Sequence, residues 1–357
     1  MSKVFYVPLH RGAPDAELRA KVEALFAAAD LGRCFHENDL TPVKLHVGEP
    51  GTKTFVSPAL ARELVRLVAG TGAVPFLTDT AVLYKSPRDS GPGHARVAWE
   101  HGFTLDATGA PFVPADGLRG SDEVSVAVGG QHYDEVAIAS GIAQARSLLV
   151  LSHATGHLGT GFGGALKNLG MGCASRQGKL RQHHGQHPRI DPETCRVCGT
   201  CAEWCPTESI EVGEETAVIR EETCIGCGEC VATCREGAVE FDWSVMGREL
   251  QERIVEHAAA IVRGKPGRIA YVTDATAITK DCDCLGLEQE PVLPDLGLLA
   301  SRDPVAIDQA VLELVRERAG HSIEALSYPD RDARYQIEHA VTMGLGESRV
   351  ELVTVSP

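Results

Sequence analysis

The sequence predicts an α/β protein in which two outer segments build one mostly parallel sheet and a small α+β module is inserted between them. Three observations predict it. Residues 1–187 alternate short β-branched or leucine-rich runs with amphipathic stretches, the texture of strands alternating with helices. Residues 188–241 change abruptly to cysteine-rich, helix-poor sequence, and residues 242–357 return to the first texture. Both termini read as strands, so the outer segments are expected to complete a single sheet around the insertion.

The elements follow in order. A first strand begins after Lys3, in the string MSKVFYVPLH. Residues 14–30 place Leu18, Val22, Leu25 and Phe26 on one helical face. Ser57 and Pro58 supply an N-cap and a first-turn proline for a helix carrying Leu60, Leu64, Leu67 and Val68, and Gly70 closes it. The runs 44–47, 74–77, 124–128 and 148–151 suit buried strands of a parallel sheet. In the second outer segment, helices are expected over 245–262 and 303–319 and strands over 268–273 and 349–353, with Asp303 as a helix N-cap.

Composition narrows the function. A chain of 357 residues, 43% hydrophobic and 23% charged, excludes disordered and collagen-like classes and leaves room for a buried core. A net charge of -15 does not suit a protein that releases counterions from a phosphate backbone, so no nucleic-acid partner is expected. No apolar run reaches the roughly 18 residues of a membrane span, and the N-terminus lacks a basic region before an apolar core. The expectation is a soluble, cytoplasmic chain with no membrane partner. Twelve cysteines, eight of them in two tight groups, point to metal ligation rather than disulfides in that reducing compartment.

Those eight carry the strongest chemistry. Cys195, Cys198, Cys201 and Cys205 follow C-x2-C-x2-C-x3-C and precede Pro206; Cys224, Cys227, Cys230 and Cys234 repeat the spacing. In such a run the first three thiolates surround three irons of a cubane, while a starting helix carries the fourth to the other cluster. Cluster one would use Cys195, Cys198, Cys201 and Cys234, and cluster two Cys224, Cys227, Cys230 and Cys205. Gly199, Gly226 and Gly228 suit backbone bending round a cluster, and the runs 210–212 and 217–219 fit a small hairpin. Two four-cysteine zinc sites are the competing assignment, which the doubled x2-x2-x3 spacing disfavours.

The segment 188–241 resembles the bacterial two-cluster 4Fe-4S ferredoxins, which implies two 4Fe-4S clusters as cofactors, an electron-transfer role and a redox partner protein. It departs from them where Arg235, not proline, follows Cys234. With four basic residues against twelve acidic ones, the segment holds -8 of the chain's -15. Such a surface would steer a basic partner, and it would equally keep a small exposed module soluble.

The outer segments hold further candidates. A glycine-rich run from Ser152 to Cys173 reads as a site loop. Gly159, Gly161 and Gly164 fit G-x-G-x-x-G, but lie too far from the preceding strand for a nicotinamide fingerprint, and Lys167 departs from P-loop spacing. What remains is an anion nest at Gly161, Gly163 and Gly164, with Lys167 adding charge and His153 or His157 available for proton transfer or metal binding. That suits a small anionic molecule; the bland alternative is a tight structural crossing. Asp79 ends a strand, and Tyr84, Arg88, His94, His101 and Asp106 follow in a loop-rich stretch of the kind that lines a cleft. Lys44 and His46 share a facing on another strand, as core edge or as site. Asp79, Arg88, His153, His157 and Lys167 are therefore the candidate catalytic residues. Cys282 and Cys284 would face one side of an extended backbone, with Asp281 and Asp283 on the other. The pair can clamp an additional metal or cluster, with Cys173 joining it, or remain two inert thiols.

The strings FLTDT at 76–80, GGALKNLGMG at 163–172, CDC at 282–284 and DPVAID at 303–308 together resemble the domain of unknown function 362 family of iron-sulfur proteins. The resemblance spans nearly the whole chain. It implies a soluble bacterial or archaeal protein with an inserted two-cluster ferredoxin, and it brings no substrate. The His and Gly-Gly-Lys arrangement is also similar to the lactate racemase fold. Two functions fit. In a ferredoxin-linked oxidoreductase the clusters relay electrons to a cleft formed by the glycine loop, Asp79, Arg88 and the Cys282–Cys284 pair. In a non-catalytic carrier, or a metal- and cluster-binding module docking on another redox enzyme, the glycine loop is only architecture.

Overall fold

The computed structural model describes residues 1–183, 187–241 and 245–356. A seven-stranded sheet forms the centre, in the spatial order Val350–Thr354, Ser2–Pro8, Gly297–Ser301, Ile269–Ala275, Leu148–His153, Leu40–Lys44, Val74–Thr78. Both outer segments contribute strands. All run parallel except Gly297–Ser301, which pairs antiparallel on both sides. That strand escapes the sequence reading; it returns from Ile269–Ala275 without a helical crossover, and antiparallel pairing is the outcome a direct return permits.

The central strands explain their own apolar runs. Along Leu148–His153, Leu148 and Val150 enter one core and Leu149 and Leu151 the other. Helices Arg248–Gly264 and Pro304–Ala319 cover the first face, and Asp15–Ala28 and Pro58–Ala69 the second. A strand buried on both sides needs no polar alternation. The caps form as the sequence suggests: Ser57 Oγ accepts from the Leu60 amide at 3.1 Å, and Asp303 Oδ1 accepts from the amides of Val305 and Ala306, both at 2.9 Å.

Two strand expectations change. The run 44–47 lies at and beyond the end of a strand, Leu40–Lys44, hidden from the sequence by Pro42. The proline is tolerated because the ladder with Leu148–His153 pairs only Val43 and Lys44. The run 124–128 does not join the main sheet; Glu123–Ala127 pairs antiparallel with Glu135–Ala139 in a sheet of its own.

The cysteine-rich segment forms two small antiparallel ladders, Arg189–Ile190 with Val239–Glu240 and Ile210–Val212 with Ala217–Ile219, plus short helices Thr200–Glu203 and Glu229–Thr233. Its buried centre is Cys201, Ile210, Ala217, Cys230 and Val239. So few apolar residues make a marginal core unless something further ties it together. The module boundary expected at Asp242 lies outside the described residues. Among the described residues no helix is long and apolar enough to cross a membrane.

Candidate functional site

Parallel strands aim their carboxyl ends at a common crevice. Leu40–Lys44 ends on Lys44, Val74–Thr78 is followed by Asp79, and Leu148–His153 ends on His153. The last strand leads into a hairpin, Thr155–His157 against Gly161–Gly163, and then a short helix, Ala165–Gly170. Between these elements lies a cavity of about 430 Å³. Asp79, Arg88, His153, His157 and Lys167 all line it, with Gly163, Gly164, Cys282 and Cys284; Lys44, His46 and Tyr84 do so too. Gly161 stays within the hairpin. His94 sits buried behind Asp79, 3.4 Å from its Oδ2, His101 Nδ1 meets Val47 O at 2.7 Å, and Asp106 is exposed.

The cavity floor is a buried ionic network. Lys44 Nζ lies 2.9 Å from Asp79 Oδ1 and donates to Asn168 Oδ1 at 2.7 Å. Arg88, fully buried, donates to Glu49 Oε2 from Nε at 2.8 Å and from Nη2 at 2.6 Å, and to the Tyr84 hydroxyl at 2.7 Å. Burial would raise the Asp79 carboxyl, but Lys44 and His94 beside it hold it well below the ordinary range. Lys179 is pulled down to about 8 by burial and is spent on the Ala81 carbonyl at 2.5 Å and the Thr80 hydroxyl.

The two histidines separate in role. His153 is occupied at both ring nitrogens, Nδ1 by Asp283 Oδ2 at 2.8 Å and Nε2 by Thr276 O at 2.9 Å. Burial pulls its pKa down, but the Asp283 carboxylate outweighs burial and pushes it up to about 9. With both nitrogens engaged it holds Asp283 in place, whereas the sequence reading has His153 available for proton transfer or metal binding. His157 accepts at Nδ1 from the amides of Gly159 at 3.2 Å and Thr160 at 3.1 Å, and burial, with Lys167 nearby, holds it well below the usual imidazole range. Lys167 has no hydrogen bond or ion pair at Nζ among the described residues, and burial draws it down to about 8.

Of the glycines expected to form an anion nest, Gly161 and Gly163 lie in the hairpin and Gly164 precedes the short helix. The amides of Ala165 and Leu166, which follow Gly164, donate to Asp308 Oδ1 at 2.7 Å and Oδ2 at 2.8 Å. A Cβ at Gly164 would meet Asp308 Oδ1 at 2.4 Å. The acceptor at this turn is the chain's own Asp308 carboxyl, which burial pushes up to about 7, and the ammonium left for a ligand is that of Lys167. Cys282 and Cys284 are joined as a disulfide rather than open as two thiolates, and the ring beside them is His157, within 4.8 Å, in place of Cys173. Cys173 is buried in the core under the sheet.

In the cysteine-rich segment the thiols gather in two sets. One small cavity is lined by Cys195, Cys198, Cys201 and Cys234, a second by Cys205, Cys224, Cys227 and Cys230. All eight are free of disulfides. Amides of Val197, Ser209 and Ala238 donate to the sulfurs of Cys195, Cys205 and Cys234 at 3.5, 3.2 and 3.3 Å. The two halves share a backbone: Val197 and Gly226, each just before a second cysteine, both have positive φ, as do Gly199 and Gly228 just after it.

Both cysteine runs touch the α/β unit. Gln177 Nε2 donates to Ile225 O at 3.2 Å, and the Arg119 guanidinium lies 3.7 Å over the Trp204 ring. Gly228 packs so closely on Arg176 that a Cβ there would lie 3.2 Å from its Cγ and Cδ. Arg176, itself fully buried, donates to Val82 O at 3.4 Å, and Val82 lines the cavity. Glu49, Lys179 and Asp308 escape the sequence reading; of these only Glu49, just past a strand's carboxyl end, carries a readable signal.

A family model described as Domain of unknown function (DUF362) matches residues 42–313. No curated protein matches the chain. Among solved structures, the lactate racemase apoprotein from Thermoanaerobacterium thermosaccharolyticum is similar at 10% identity and a TM-score of 0.46, over 89% of this chain and 58% of that one. A structural-genomics protein from Thermotoga maritima is similar at 11% identity and a TM-score of 0.43, over 86% of this chain and 59% of that one. The chain thus spans less than two thirds of either.

Proposed function

This chain belongs to the family described as Domain of unknown function (DUF362), and we propose that it is an iron-sulfur redox protein relaying electrons to a small anionic molecule in the cationic cavity. It would hold two 4Fe-4S clusters, one on Cys195, Cys198, Cys201 and Cys234, the other on Cys224, Cys227, Cys230 and Cys205. The observation that carries the reading is the crossed gathering of the eight free thiols into two four-thiol cavities. The donor chemistry fits: amides point at sulfur, and left-handed residues at matching places in both halves let the loops wrap a compact group.

When bound, the clusters supply one-electron transfer. The chain's own residues do the rest. Arg176 bridges the second cysteine loop to the cavity wall at Val82. Lys44, Asp79 and Arg88 fix the floor by pairing with one another and with Glu49, which leaves Lys167 as the ammonium that an anion can meet. The acidic exterior of the module suits a donor protein with a basic face.

The test is made on anaerobically prepared full chain. About eight irons with matching acid-labile sulfide, and paramagnetic signals on reduction, are expected. Zinc without sulfide overturns the reading. A small carboxylate should perturb the reduced signals in the native chain and not in Lys167→Ala at unchanged iron content; a pure carrier shows no such perturbation.

A further inference from the structure

The disulfide in the cavity wall has no part in an anion site or in a pair of iron-sulfur clusters. Its backbone is held on every side. Asp283, between the two cysteines, is buried and bound to His153 at 2.8 Å and to the Thr54 hydroxyl at 3.3 Å. The Tyr84 hydroxyl donates to Cys284 O at 2.9 Å, and the Asp281 amide donates to Gln289 Oε1 at 2.9 Å. Cys282, Asp283 and Cys284 all line the cavity, Cys282 buried and Cys284 partly exposed.

His157 decides what chemistry this wall supports. It brings a ring nitrogen within 4.8 Å of both sulfurs. Two backbone amides donate to Nδ1 and the Thr160 hydroxyl lies 2.9 Å from it; on the two amides we assign the proton of the uncharged ring to Nε2. That tautomer has no Nε2 lone pair for a metal, but it has an N–H to offer a sulfur anion. Lys167, the ammonium without a partner among the described residues, lines the same cavity.

We propose that Cys282–Cys284 is a redox-active disulfide, the two-electron store at the end of the one-electron path. The inference rests on the iron-sulfur reading above. In the step the S–S bond breaks on gaining two electrons, one to each sulfur. They arrive singly past Gly228, Arg176 and Val82 from an iron-sulfur or flavin donor protein, which is oxidised. His157 Nε2–H holds the first thiolate formed. Two protons, one from the Lys167 ammonium and one from solvent, complete two thiols. Burial draws Lys167 down to about 8, close to an ordinary thiol, so the proton moves between matched groups.

The test is an anaerobic reductive titration of the iron-loaded full chain, with iodoacetamide labelling read by mass spectrometry. The native chain should take up about four electrons, two more than two clusters alone require, and label at Cys282 and Cys284 only after reduction. Cys284→Ser should take up about two at unchanged iron content. A native uptake of about two with iron in place, or both thiols labelled before reduction, overturns the inference and leaves the clusters standing. So does an extra metal lost in Cys282→Ser. Absence of iron with a dithiothreitol-reducible disulfide overturns the relay instead. After reduction, His157→Leu should slow labelling at pH 7 by about tenfold and His157→Gln, which keeps an N–H, should restore most of it; an unchanged rate in His157→Leu removes His157 from the step.

Discussion

The cysteine-rich module and the cavity of the α/β unit differ in sign and in how they are built. The module is acidic and draws each four-thiol set from three cysteines spaced three positions apart and a fourth from the other run. The cavity gathers the basic side chains of Lys44, Arg88, His153, Lys167 and Lys179, against the carboxylates of Asp79 and Asp283, from segments far apart in the chain. Under the proposed function the difference divides the labour: negative charge outward would suit a basic donor protein, and positive charge inward an anionic acceptor. Arg176, between Gly228 and Val82, is one of the places where the two regions meet, and the one that reaches the cavity wall.

The largest effect should come from removing one thiol. Cys198→Ser and Cys227→Ser should each lose about four of about eight irons, and only Cys227→Ser should also stop electrons from reaching the cavity, because its loop is the one against Arg176. Equal cavity reduction in both variants would erase that asymmetry. Next comes Asp308→Ala, which leaves the buried amides of Ala165 and Leu166 unpaired; thermal unfolding should register a loss of about 3 kcal/mol. Gly199→Ala, at φ 76 with open space around its Cβ, should cost only about 1 kcal/mol.

Smaller effects follow from charge. His153 is raised in the folded state to about 9, so its contribution to stability is complete below its ordinary value and is lost as pH rises through about 9. Denaturant midpoints across that window should fall in the native chain and stay flatter in His153→Gln. Lys167→Met, which removes a desolvated ammonium without a hydrogen bond among the described residues, should raise stability by about 1 kcal/mol while abolishing the response to anions. Smallest in stability terms, salt should weaken binding of a basic donor to the module and leave the His153 titration in place, since exposed charges are screened and buried ones are not.

Much of the outer fold is legible because its signals are local. Ser57-Pro58 and Asp303-Pro304 mark helix starts through contacts two or three residues away. The Leu148 run reads as a buried strand because both its faces are apolar. Legibility fails at Pro42, where a proline inside a central strand is permitted by the length of one neighbour's ladder, and at 124–128, whose pattern fits any sheet and whose partner is a separate hairpin. The site divides the same way: Asp79, Arg88, His153, His157 and Lys167 share one cavity, but whether each is free or already spent is a matter of its neighbours.

By itself the sequence determined the grouping of the module's thiols, since loops of two and three residues leave a cysteine little freedom over where it goes and a short helix carries the fourth across. Only the tertiary structure decided that Asp308, not a ligand, occupies the amides beyond Gly164, that Asp283 saturates His153, and that the Cys282–Cys284 bond faces His157. Those partners lie more than a hundred residues apart, and several carboxylates or thiols could serve each role until the sheet fixes which strand ends are neighbours.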